Sequence, residues 1–493
     1  MGDSAGHSPA RGTAPGAPPG AAEATPCPGP RTGLVLAAVC LSQLIVVLDI
    51  SVVNVALPEI SRDLGFSPGG LSWVVNAYTL VFGGLLLLGG RLADLFGHRR
   101  TMAAGLVLFG VASLLGGLAQ NPAQLIAARA GQGLAGAVLA PIGLTVILVT
   151  FAEGPARSRA VGVWATVAGS GTALGVLAGG LLTDLLGWRW VLLINVPLVA
   201  LTLPIALASV RDRRTGGRAR LDVPGAVLVT AAMTAAAHGV LGTEHHAWGS
   251  VRTLSVLALA VVLGAVFVWW ERRCPAPIVR LGIFRSRTVW LSNVTGLLVG
   301  AGMVAGFYFA SLFLQNVLGY GPMEAGAAFL PFCCGAVAGS TLGMRLVRRV
   351  DRRTLIVGGL LLGGTGMVWF STMAPTSTFA GGFLGPSLVA SVGIGLSMVT
   401  NTYMGTSGVA PEEAGLASGL LNASRQCGGS IGLAVLSTLA LSAGRASGNA
   451  GGTAQEALAA GYGRAFLVAG GLLVAAALLT AVSLPREKPA AAS

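Results

Sequence analysis

Two charged residues stand inside long apolar runs, where hydrocarbon tolerates charge poorly. Asp49 lies in Leu48-Asp49-Ile50-Ser51-Val52-Val53-Asn54-Val55-Ala56-Leu57-Pro58, nine residues before a proline expected to end its run at about residue 57. At about 1.5 Å per residue, its carboxyl sits roughly 13 Å below that end, near the middle of a ~30 Å bilayer core. A charge at that depth costs about 2.5–3.5 kcal/mol on insertion scales, so the acid is expected to take up and release protons as part of a working cycle. The bland alternative is a permanently protonated Asp49 hydrogen-bonded to a neighbour such as Asn54. Arg129, in Leu125-Ile126-Ala127-Ala128-Arg129-Ala130-Gly131-Gln132-Gly133, lies one to two turns inside another run. It needs a partner, which Asp49 or a water-filled cavity could supply; the alternative is a structural arginine on backbone carbonyls. A contact between them that forms and breaks would couple proton uptake to movement. Arg425 and Gln426 pose the same puzzle near the other end of the chain.

Other chemistries are closed to this chain. Its only lysine is Lys488, so it carries no Walker-type ATP loop and no Schiff-base lysine within an apolar run. His238 is the only histidine in a run, and no nucleophile–base pair or metal-ligand spacing occurs. The reading is therefore no enzyme, no metal and no cofactor, with an ion gradient as the power source. A proton crossing the membrane potential is worth ~2.3 kcal/mol per 100 mV, sufficient to concentrate a solute many-fold.

The elements that position these residues follow from composition. Hydrophobic residues make up 54% of 493 positions and mean hydropathy is +0.77, well above a soluble domain. Fourteen apolar runs between residues 33 and 484 are continuous rather than alternating, which predicts transmembrane helices and an all-α protein. The net charge of +13 suggests nucleic acid, but most basic residues fall in loops on one side of an even number of spans. That is the positive-inside pattern, placing both termini in the cytoplasm of a cell-membrane protein with lipid, not nucleic acid, around it. The six cysteines mark no oxidised framework. Residues 1–32, rich in Pro, Gly and Ala, read as a disordered cytoplasmic tail, and 486–493 as a second cytoplasmic tail. Arg91-Leu92 … Gly97-His98-Arg99-Arg100-Thr101 after span 2 is echoed by Arg345-Leu346 … Asp351-Arg352-Arg353-Thr354 after span 10. Hinges eight spans apart imply a six-helix bundle (33–210), two inserted spans with linker (211–271) and a second bundle (272–485), the repeat plan of secondary transporters.

Within that frame, Gly90, Asp94, Gly97, Arg99 and Arg100 form a short Gly-bounded loop expected to gate the basic side, Asp94 capping or pairing with arginines. Gly171, Gly175 and Gly179, followed by Gly180, make one smooth face on span 5, which allows close, sliding helix contact. Asn54, Gln132, Tyr308, Phe309, Gln315, Arg425 and Gln426 are candidates for lining a substrate pocket. Glu324 and Asp184 are expected at the opposite face as solvated acids or caps.

These residues resemble the Major Facilitator Superfamily, and within it the fourteen-span drug:proton antiporters that include antibiotic exporters. Gly90-x-Leu92-Ala93-Asp94-x-x-Gly97-x-Arg99-Arg100 resembles the superfamily's loop signature, Leu48-Asp49 … Asn54-Val55-Ala56-Leu57-Pro58 its fourteen-span branch's span 1 motif, and Arg129-Ala130-Gly131-Gln132-Gly133 the span 4 motif whose Arg is implicated in proton coupling. Trp188-Arg189-Trp190 … Asn195-Val196-Pro197, Leu314-Gln315 … Tyr320 and Ala414-Gly415 … Gly419 … Arg425-Gln426 are similar to this branch as well. Gly171-x-x-x-Gly175-x-x-x-Gly179-Gly180 resembles the antiporter motif, with Val176 where the family usually has proline. The resemblance implies proton-coupled export of an amphipathic small molecule, an antibiotic or several drugs, by a monomer using alternating access; proton-coupled import of a metabolite is the alternative. A single buried acid favours neutral or monocationic substrates.

Overall fold

The computed structural model describes residues 30–212, 221–244, 246–347, 349–407 and 413–484, with Gly2 and Val409 besides. The expected tails fall almost wholly outside these residues. Every regular element among them is helical. Fourteen helices are long and apolar enough to cross a membrane: α1 Thr32–Leu64, α2 Gly69–Ala93, α3 His98–Gly117, α4 Pro122–Thr150, α5 Pro155–Leu186, α6 Arg189–Ser209, α7 Val223–Leu241, α8 Val251–Arg273, α9 Arg287–Val317, α10 Pro322–Leu346, α11 Arg352–Phe370, α12 Phe379–Ser407, α13 Gly415–Asn449 and α14 Ala454–Ser483. Helices satisfy their own backbone polar groups, the condition for a segment in hydrocarbon.

The helices pack as two groups of six, α1–α6 and α9–α14. The inserted α7 lies against both α2 and α13, bridging the two groups, and α8 packs on α7. Thr438 Oγ1 donates to Val240 O at 3.3 Å, and Leu80, Met233, Ala237 and Ala434 form a common apolar seam there.

Pro58 does not end α1, which continues to Leu64 with the proline inside it. A helix-interior proline leaves the carbonyl four residues earlier without its N–H donor. Here that carbonyl, Asn54 O, accepts from Ser311 Oγ of α9 at 2.8 Å, so the vacancy becomes a contact between the halves. Asp49 is consequently fifteen residues from the helix end, deeper than the sequence suggests. The span near residue 324 is interrupted at Phe329, between Pro322–Ala328 and Leu330–Leu346. Close approach elsewhere depends on glycine: a Cβ on Gly133 of α4 would run into the Tyr78 backbone of α2.

Candidate functional site

Asp49, 0% exposed, is neutralised entirely within the first half. Its Oδ2 receives Arg129 Nη1 at 2.5 Å, and its Oδ1 receives Gln132 Nε2 at 2.8 Å and Asn195 Nδ2 at 2.9 Å. Arg129 and Gln132, three residues apart, share one face of α4, and Arg129 Nη1 also donates to Gln132 Oε1 at 2.7 Å. The guanidinium, 2% exposed, is held further by Nε donating to Val74 O at 3.0 Å and by the Tyr78 ring, 4.6 Å from its carbon. Gln132 Nε2 reaches Ser113 Oγ of α3 at 2.8 Å. Residues of five helices of one half thus form one cluster around the Asp49 carboxyl group, which accepts from Arg129, Gln132 and Asn195.

Asn54, the neighbour considered for Asp49, turns away and donates to Ile50 O at 2.8 Å. Asn195 takes that place instead. It stands out as an amide in an apolar run, but nothing local says that α6 turns it toward α1. Tyr78 and Ser113 carried no such signal.

The halves close on each other at the end opposite the basic loops. Gln315 Nε2 donates to Val55 O at 2.8 Å beside the Ser311–Asn54 contact. Gly171, Gly175 and Gly179 pack on Val47, Ser51 and Val52 of α1, inside their own half, whereas Gly180 faces Pro322 and Met323 of α10 across the joint. Val176 O lies 2.8 Å from where a Cβ on Gly326 would be, and α5 runs unbroken from Pro155 to Leu186. Over its length α4 packs mainly on α1, α2 and α3, and α12 on α9, α10, α11 and α13, each within its own group. The basic half of α5 is largely exposed.

At the basic end, Gly97 adopts φ 89° between α2 and α3, and a Cβ there would collide with the Asp212 carboxylate. Arg100 Nε pairs with Asp212 Oδ2 at 3.2 Å, and Arg91 clamps the segment after α8 by donating to Ala276 O at 2.8 Å and Pro277 O at 2.5 Å. Gly90 approaches Pro141 of α4, and Arg99 is exposed. The Asp94 side chain lies outside the described residues. Glu324 caps its own helix, accepting from Gly321 N at 3.1 Å.

The seven candidate pocket residues do not form one lining. Gln132 belongs to the Asp49 cluster, and Asn54 and Gln315 to the joint. Tyr308 and Phe309 border a cavity of about 600 Å³ at the end opposite the basic loops, with Pro58, Arg62, Asn316 and Tyr462. Gln426 meets α2 at Gly83, and Arg425 lies along α9 at Gly296.

Comparison with known proteins assigns this architecture. Residues 39–433 match the Major Facilitator Superfamily. The chain is 45% identical over 468 residues to the cephamycin export protein of Amycolatopsis lactamdurans, covering 93% of this chain and 94% of that one. It is 41% identical over 458 residues to the puromycin resistance protein of Streptomyces alboniger, covering 92% and 91%. A crystal structure of a bacterial homologue of the human lysosomal transporter Spinster shares the fold, with TM-score 0.66 and 17% identity over 92% of this chain and 97% of that one. Two six-helix groups joined by an inserted pair, a charge cluster sealed in one of them and relatives along nearly the whole length agree: this multi-pass membrane protein belongs to the Major Facilitator Superfamily of transporters.

Proposed function

We propose that the chain exports an amphipathic small molecule, an antibiotic or several drugs, across the cell membrane in exchange for protons. Its relatives named for cephamycin export and puromycin resistance support the direction. The observation that carries proton coupling is the Asp49–Arg129 ion pair, buried in one half and satisfied by that half alone. A buried carboxylate that exchanges its cation for a proton stays neutral, so the pair has two low-energy arrangements rather than one. Protonation of Asp49 releases Arg129, and re-pairing of Arg129 expels the proton.

In this reading the basic loops face the cytoplasm, as do both termini, and the protein works as a monomer. The halves then meet on the outer side and stand apart along α4 and α12 toward the cytoplasm, the arrangement that loads substrate. Breaking the Ser311, Gln315 and Gly180 contacts opens the outer side to protons and releases the substrate. Arg91 and the Arg100–Asp212 pair reorganise at the cytoplasmic gate.

Everted vesicles test this. Their lumen corresponds to the cell exterior, so an acid lumen drives puromycin uptake through an antiporter and not through a symporter. Uptake is expected in the wild type, and neither with a protonophore nor in Asp49→Asn. Equal gradient-driven uptake by Asp49→Asn would remove the carboxyl group from the mechanism.

A further inference from the structure

We propose that Arg425 is the anion-recognising residue of the transport site, and that the compounds it selects carry a single carboxylate or similar negative charge. This deepens the export reading and rests on it.

Arg425 differs from Arg129 in having no counter-charge. Its Nε is buried with no hydrogen-bond partner, and none of the ion pairs found among the described residues includes it. Eleven residues into α13 from Ala414, it stands about 16 Å from that helix end, deep in the bilayer. A charge there faces protein or a water-filled cavity, not lipid.

The helix geometry says which way it faces. Ser418, Asn422 and Arg425 follow one another at i, i+4 and i+7, so they form one polar stripe on α13. All three are partly or fully exposed. On one side of the stripe Gly419 and Cys427 pack toward α2, and on the other Leu421 and Gly428 pack against α9. The stripe therefore lies between the face of α13 that packs on α2 of the first half and the face that packs on α9 of the second, at the joint between the halves. Its surroundings supply further polar groups. Asn401 Oδ1 of α12 is buried without a partner near the Arg425 side chain, and Ser424 Oγ donates to Asn293 Oδ1 at 2.7 Å.

The sealing of Asp49 reverses the substrate class that its sequence position suggests. A carboxylate already holding a guanidinium and two amides has no capacity for a substrate cation. Arg425, by contrast, is a deep charge that no ion pair among the described residues neutralises. An arginine at such a site binds a carboxylate with two parallel hydrogen bonds. Exchange of one proton inward for one monoanion outward also moves two charges, so the membrane potential drives it twice as strongly as export of a neutral compound.

The test uses the full chain in lipid nanodiscs and in everted vesicles. The anionic probes are cefoxitin and nalidixate, and the cationic probes puromycin and ethidium. At least one carboxylate is expected to bind. Arg425→Gln should weaken it by about tenfold or more, while Arg425→Lys, which keeps the charge, stays within about threefold and the cations shift by less than about twofold. With pH clamped, a lumen-positive potential alone should drive carboxylate uptake into the vesicles. Equal weakening of anions and cations, or carboxylate binding indifferent to both substitutions, overturns the proposal. Puromycin flux without Arg425-dependent carboxylate binding refutes the anion site and leaves export standing. Arg425-dependent binding without flux of any probe refutes export and leaves the site standing. If Arg425→Gln does not fold, Arg425→Met takes its place: about tenfold or more weaker carboxylate binding with cation affinity held within about twofold supports the proposal, and unchanged or equally weakened binding of both overturns it.

Discussion

Each half of this transporter keeps one arginine deep in its helices, and the two are treated in opposite ways. Arg129 is enclosed by Asp49, Gln132, the Val74 carbonyl and the Tyr78 ring, and both members of its ion pair are withdrawn from solvent. Arg425 stands on a polar stripe at the joint, its Nε without a partner and in none of the ion pairs found among the described residues. The first half thus contains a closed charge system that changes state only by exchanging partners. The second holds a deep guanidinium that, on the proposal above, responds to the substrate. On the two proposals above, a repeat related by sequence divides its work: the first half handles protons and the second reads the substrate.

Four substitutions break or sharpen that contrast. The largest effect is expected from Arg129→Met, which leaves the Asp49 carboxylate buried without its cation and costs about 3–5 kcal/mol. Thermal unfolding in detergent should show it, and Arg129→Met/Asp49→Asn should recover much of the loss; equal instability of single and double variants would mean that the pair does not act as one unit. Next comes the joint. A methyl group at Gly180 would meet Pro322 O at 2.6 Å, whereas one at Gly175 meets Ser51 Cβ at 2.7 Å inside the first half. Overpacking costs about 1–3 kcal/mol in either place, but only Gly180→Ala should shift the balance between the two access states. Spin-label distances across α5 and α10 measure that shift, and identical distance distributions in the two variants would count against the assignment of the outer seal.

A smaller change is expected from Gln315→Ala, which removes the donor to Val55 O and weakens the same seal by about 0.5–1.5 kcal/mol. Labelling of a cysteine placed near Asn316 should accelerate accordingly, and unchanged labelling would rule the contact out as a latch. The smallest effect belongs to Arg425→Met. Replacing an unpaired charge by a side chain of similar volume should alter stability by no more than about 1 kcal/mol. A loss as large as that of Arg129→Met would reveal a structural role for Arg425.

Much of this was readable from the chain itself. The fourteen apolar runs gave the helices because hydropathy over about 20 residues is a local property. That Asp49 and Arg129 lie inside spans followed for the same reason, although Asp49 sits deeper than its distance from Pro58 suggests, and the four-residue spacing of Gly171, Gly175 and Gly179 gave the glycine face on α5. The ends were less legible: α1 ran through Pro58 because the other half supplies a hydroxyl to the freed Asn54 carbonyl, an interaction between residues 257 positions apart. Asn54 was the nearest amide to Asp49 in sequence, yet Asn195 is the one that reaches it, 146 positions away.

By itself, the sequence determined an all-helical membrane bundle with a repeat, a basic side and two charges, Asp49 and Arg129, too deep to be accidental, with Arg425 a less clear third. Tertiary structure alone decided which of those charges are paired, which glycines touch their own half and which touch the other, and that the seven polar and aromatic pocket candidates separate into distinct places. The reason is geometric. Hydropathy fixes where a helix lies along the membrane normal, but the rotation of each helix about its axis is set by packing against its neighbours. A rotation of one residue, about 100°, decides whether an arginine meets a carboxylate or stands without one.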